Sequence, residues 1–138
     1  MKTHDNGSTT IETIIWLPIL LMLIACIIQF GLIFNGRNAV QAACFEAARQ
    51  AALSDDPEGA ARTTVEGFAN GVLPGWKKDG LVRTNVAMPE GTDPGCPVRV
   101  EVAYDVPVFL AKLIPDLAFN GGLTTVRGSA EMLIEEKP

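Results

Sequence analysis

From Thr13 to Phe34 the chain carries no charged residue, and Ile, Leu, Met, Cys and Phe dominate the run. A helix rises about 1.5 Å per residue, so this stretch reaches roughly the 30 Å of a bilayer core. Buried helices of soluble proteins are rarely apolar on every side for so many turns. The run therefore reads as a transmembrane helix. With 138 residues in total, one small domain is left to fold outside the lipid. Lys2 and the terminal amine precede the span and Arg37 follows it, so basic residues discriminate its orientation little. A short polar N-terminus before a long, bridge-capable domain favours the N-terminus inside, in the cytoplasm, and the domain outside.

Residues 1–7 are polar and turn-like and read as a leader peptide. Thr9-Thr10-Ile11-Glu12 fits a capping box, with Thr9 capping the first turn and Glu12 reaching back. Pro18 removes one backbone hydrogen bond and is a candidate kink, which membrane helices tolerate. Beyond the span, Asn38 to Leu53 is rich in alanine and other strong helix formers. Val40, Ala43, Cys44, Ala47 and Ala51 share one face, and small residues there let another helix approach closely. One continuous helix over 8–53 follows, half in lipid and half outside, with Asn35-Gly36 as the place where it could break.

The rest, 54–138, reads as a small α+β domain. Asp56 is a candidate N-cap and Pro57 the first position of a second helix, which runs to about Asn70 before Gly71. Val82, Thr84, Val86 and Met88 then alternate as one face of a strand. Val98, Val100, Val102, Tyr104 and Val106 line a face of a second, with Arg99, Glu101 and Asp105 opposite. The turn-rich Pro89–Gly95 connection suits antiparallel pairing. A third strand over about Thr124 to Ile134 turns Val126, Ala130, Met132 and Ile134 inward. Pro107 to Phe119 reads as a short broken helix covering the sheet, or touching the membrane or a partner. The expected fold is thus α+β and membrane-anchored: a long helix, a short helix and a three-stranded antiparallel sheet.

Chemistry-bearing patterns are sparse. The single histidine, His4, lies in the leader, and no cluster has metal-ligand spacing. No nucleophile elbow, phosphate-binding loop or dinucleotide glycine pattern occurs. These features point away from an enzyme and require no cofactor. Net charge is −5 and no basic stripe appears, so nucleic acid is not an expected partner; Lys77-Lys78 reads as a solvated loop. Of the 3 cysteines, Cys26 lies in the span, while Cys44 and Cys96 are a candidate disulfide in an oxidising compartment. Such a bridge requires their Cα atoms to approach within about 7 Å.

Gly7-Ser8-Thr9-Thr10-Ile11-Glu12 resembles the processing site of prepilins, cut after glycine with glutamate at the fifth mature position. Glu12-Thr-Ile-Ile-Trp-Leu-Pro18, Ile28-Gln29-Phe30-Gly31 and Ala43-Cys-Phe-Glu-Ala-Ala-Arg49 resemble TadE-like pseudopilins of the tight-adherence (Tad, or Flp) pilus system. The likeness covers about residues 7–53. Two departures are Thr13, where major Flp pilins carry tyrosine, and Gln29, where the family often has an acidic residue. The resemblance implies a pilin-like minor subunit of the inner membrane, cleaved between Gly7 and Ser8 by a prepilin peptidase. It implies as partners the other Tad minor pilins, the major Flp pilin, the inner-membrane assembly platform and the bilayer. It also implies an assembly role for Glu12, whose carboxylate would neutralise a neighbour's terminal amine.

Two other readings fit the same residues. Leu23-Ile24-Ala25-Cys26 matches a lipobox with Cys26 lipidated, although apolar residues continue to Phe34. The chain also reads as an uncleaved bitopic envelope protein with a binding domain.

Overall fold

A computed structural model of the chain describes residues 6–68, 80–108 and 122–135. Helix α1 spans Asn6–Leu53, 48 residues without interruption, and α2 spans Pro57–Phe68. Strands β1 (Val82–Ala87), β2 (Pro97–Pro107) and β3 (Leu123–Leu133) pair antiparallel in the order β1-β2-β3. The expected α+β architecture is the observed one. The broken helix expected over 107–119, the Lys77-Lys78 loop and the end of α2 near Asn70 lie largely or wholly outside the described residues.

Two local expectations give way. The helix already includes Asn6, so Thr9 sits inside it instead of capping it. Nor does α1 break at Asn35-Gly36. Gly36 is buried in the helix, and a Cβ there would lie 3.0 Å from Val106 Cγ2. The residue serves close approach of the strand, not a hinge.

The α2 start follows the sequence. Asp56 Oδ1 accepts a hydrogen bond from the Gly59 N–H at 3.1 Å, and Pro57 holds the first helical position. Asp56→Ala is expected to lower stability by about 1 kcal/mol, read as a lower melting temperature of the intact chain in detergent.

The core sits between the carboxy-terminal half of α1 and its two neighbours, α2 and the sheet. Val40, Ala43, Cys44, Ala47 and Ala51 are all fully buried. Ala61 and Val65 of α2 meet this alanine face from one side. Val98, Val100, Val102, Tyr104 and Val106 meet it from the other, with Val126 and Ile134 of β3. Small side chains on α1 let β-branched residues from the sheet fill the gap, and the buried face from Ala43 to Ala52 carries nothing larger than cysteine.

Register fixes which residues face the helix. Thr84 opposes Val102, which opposes Gly128; Val82 opposes Tyr104, which opposes Val126. Gly128 is the point of closest approach. A Cβ built there would lie 3.0 Å from Val40 Cγ1, 3.1 Å from Gln41 Oε1 and 3.2 Å from Cys44 Sγ. Above and below it, the domain is tied to α1 by two hydrogen bonds. Near the helix C-terminus, Glu135 N donates to Ala52 O at 3.2 Å. At the other end, Gln29 Nε2 donates to Pro107 O at 3.4 Å.

Candidate functional site

The amino-terminal half of α1 differs from the rest of the molecule in what surrounds it. Ile11, Ile14, Ile15, Trp16, Leu17 and the apolar residues that follow as far as Ile28 stand largely uncovered. The mean hydropathy of the most apolar window reaches 2.7, with 6% of it buried against the protein. An apolar helix left bare in this way matches a lipid environment, not a protein core. Pro18 lies inside the continuous helix, where its ring leaves the carbonyl of Ile14 without the usual partner.

Gln29 is a buried polar residue within the apolar run, while Phe30 and Phe34 beyond it are 72% and 58% exposed. Gln29 itself is 7% exposed, and its amide is engaged by the Pro107 carbonyl. A buried amide in such a place requires a partner. The uncharged run from Thr13 to Phe34 rises about 33 Å, close to the apolar thickness of a bilayer. The base of the sheet meets α1 at Gln29, a few residues before the end of this run.

Gly7 and Ser8 lie in the first turns of α1. Glu12 is one helical turn beyond Ser8, roughly 6 Å along the axis. Its exposed side chain borders an open groove with Thr13, Trp16, Leu17 and Leu20. A carboxylate on a bare apolar helix is poorly solvated once in lipid, and pairing with a cation relieves that cost. The structure thus places Gly7, Ser8, Glu12 and Pro18 on one rod, and among the described residues none of the α+β domain is brought to them.

The cysteines are not brought together. Cys26, Cys44 and Cys96 are all free. Cys44 is buried against Gly128, which pairs with Val102. Cys96 precedes β2, six residues from Val102, or about 20 Å of extended chain. A disulfide between Cys44 and Cys96 is therefore excluded in this fold, since a bridge tolerates no more than about 7 Å between Cα atoms. Cys96 Sγ instead donates to the Glu90 carbonyl at 3.4 Å. Burial pushes the Cys44 thiol up from its ordinary range, so it stays protonated and unreactive.

One polar cluster was not legible in advance. Asp105, expected on the solvent face, is 8% exposed and holds two groups. The Arg83 guanidinium reaches both its oxygens, at 3.2 and 3.1 Å, and the Thr125 hydroxyl donates to Oδ1. It thereby joins all three strands at the lower end of the sheet. The cross-strand neighbours of an antiparallel register would have found it, but only once that register was known. Gly128 did carry a signal: an isolated glycine within a strand pattern marks close backbone approach. Among the described residues, no group of three or more His, Cys, Asp or Glu side chains is placed to hold a metal ion.

Comparison with protein families gives a match to the family described as TadE-like protein over residues 7–49. That segment is α1 without Asn6 and its last four residues, and the resemblance read from its residues holds there. No curated protein and no solved structure matches the chain.

Proposed function

We propose that the chain is a non-enzymatic pseudopilin or minor pilin that acts in assembly of a Tad-type adhesive pilus. The TadE-like segment associates it with Tad pilus systems, and one observation supports the finer reading. The match falls on a single helix whose first half is bare and apolar and whose second half forms the core of an α+β domain. Such a rod is anchored in the inner membrane by its apolar run, Thr13 to Phe34, with the domain held on the outer side. Residues 1–7 are a leader, 8–53 the anchoring helix and 54–138 the outer domain. A prepilin peptidase removes the leader after Gly7, leaving the new amine of Ser8 one turn from Glu12. Glu12 then pairs with the amine of a neighbouring subunit, which sets the axial offset between helices. The neighbours are other minor pilins, the major Flp pilin and the membrane platform.

The mature N-terminus tests this reading. Mass spectrometry of the protein from a host with the cognate peptidase is expected to find a chain starting at Ser8. A chain still starting at residue 1 or 2 contradicts it.

A further inference from the structure

The charges of the outer domain are sorted by height above the contact between Gln29 and Pro107. Arg37 lies eight residues up α1 from Gln29, about 12 Å along the axis. Arg83 and Arg127 flank Ala103 in one row across the sheet. That row is four residues from Pro107, about 13 Å. Within this lower zone Asp105 is the only acid among the described residues, and it is engaged by Arg83 and Thr125. Neither Arg37 nor Arg127 has an ion-pair partner among the described residues. Glu101, two residues above Ala103, opens the acidic part of the domain. Asp55, Asp56, Glu58, Glu90, Asp93 and Glu135 gather toward the far end, where the α1–α2 and β1–β2 connections and the end of β3 lie.

We propose that the two basal arginines without an ion-pair partner among the described residues, Arg37 and Arg127, rest on the phosphates of anionic phospholipids at the bilayer surface. The inference rests on reading α1 as a membrane anchor, because the uncovered apolar run, which ends at Phe34, then sets the height of the domain. Each leaflet carries a headgroup layer roughly 5–7 Å thick beyond the hydrocarbon. A guanidinium extends about as far from its Cα, and the remaining gap is within the ~8 Å screening length of physiological salt. Arginine also suits the partner, since its planar fork takes a phosphate through two parallel hydrogen bonds. Apart from Asp105, which Arg83 neutralises, the described acids of the domain lie above this zone, so the surface potential that attracts the base does not repel the domain.

The test uses the full-length chain in nanodiscs of phosphatidylcholine alone, or of equal parts phosphatidylcholine and phosphatidylglycerol. Phenylglyoxal modification is followed at each arginine by peptide mass spectrometry. Arg37 and Arg127 are expected to react about fivefold more slowly in the anionic discs. Arg49, Arg62 and Arg99, nearer the far end, serve as internal controls and keep one rate in both. Equal rates for Arg37 and Arg127 in the two bilayers overturn the proposal. Slow reaction in both bilayers that is relieved with one copy per disc assigns these arginines to a second copy's acidic end, and also overturns it. Alkaline extraction of the chain from either bilayer would instead overturn the anchor reading beneath it.

Discussion

Gly128→Leu is expected to unfold the outer domain while leaving α1 in the membrane. A bare Cβ at this position already lies 3.0–3.2 Å from Val40, Gln41 and Cys44. Leucine adds three further carbons where helix and strand have no space, and both backbones are pinned. The pins are the Glu135–Ala52 bond at one end and the Gln29–Pro107 bond at the other. Overpacking between fixed elements costs about 3 kcal/mol, a large share of a small domain's stability. Gly128→Ala is expected to cost about 1 kcal/mol by the same mechanism. Combining it with Cys44→Ala should recover part of that loss, because the sulfur is one of the atoms in the way. Melting temperature in detergent and protease resistance of residues 54–138 read these effects. An unaltered melting temperature for Gly128→Leu would show that helix and sheet do not meet this closely.

Glu12→Gln is expected to abolish or strongly reduce pilus assembly without altering the amount of protein in the membrane. The amide keeps the shape and the hydrogen-bonding oxygen but removes the charge. An amine left unpaired in a poorly solvating medium then has no counterpart, and subunit addition loses its preferred offset. A loss of only 1.4 kcal/mol per contact corresponds to a tenfold weaker step, so at least tenfold fewer pili are expected. Glu12→Asp retains the charge and is expected to retain part of the activity. Counting filaments by electron microscopy, beside immunoblots of the membrane fraction, separates an assembly defect from an insertion defect. Normal piliation by Glu12→Gln would remove the proposed role.

The fold was legible in the sequence wherever a periodic pattern also decided burial. Alternating Val98 to Val106 fixed both the strand and its inward face, and all five inward residues are nearly or fully buried. Asp56-Pro57 fixed the start of α2 because the cap is a local hydrogen bond. The alanine face of Val40 to Ala51 was visible, but the sequence pointed only to a second helix as its partner. The sheet packs there as well, and nothing local in the helix encodes that. Gly36 was ambiguous for a related reason. Glycine serves hinges and close contacts alike, and Val106, far along the chain, decides between them. The Cys44–Cys96 pairing failed because cysteine spacing carries no information about distance across a fold. At the candidate site, Gly7, Ser8 and Glu12 were legible as a contiguous motif. Gln29 stood out as a departure from the family pattern, and its bond to Pro107 spans 78 residues of sequence.

The three cysteines report on the three environments the chain creates, and labelling them tests the central claim in one experiment. Cys26 lies on the bare apolar helix, Cys44 in the core of the outer domain, and Cys96 near the surface at the start of β2. Intact membranes are treated on the domain's side with a charged maleimide, and each cysteine is read by peptide mass spectrometry. Cys96 is expected to react, while Cys26 and Cys44 stay unlabelled until the protein is denatured. Labelling of Cys26 at the rate of Cys96 would contradict a helix half in lipid and half in the core of a domain.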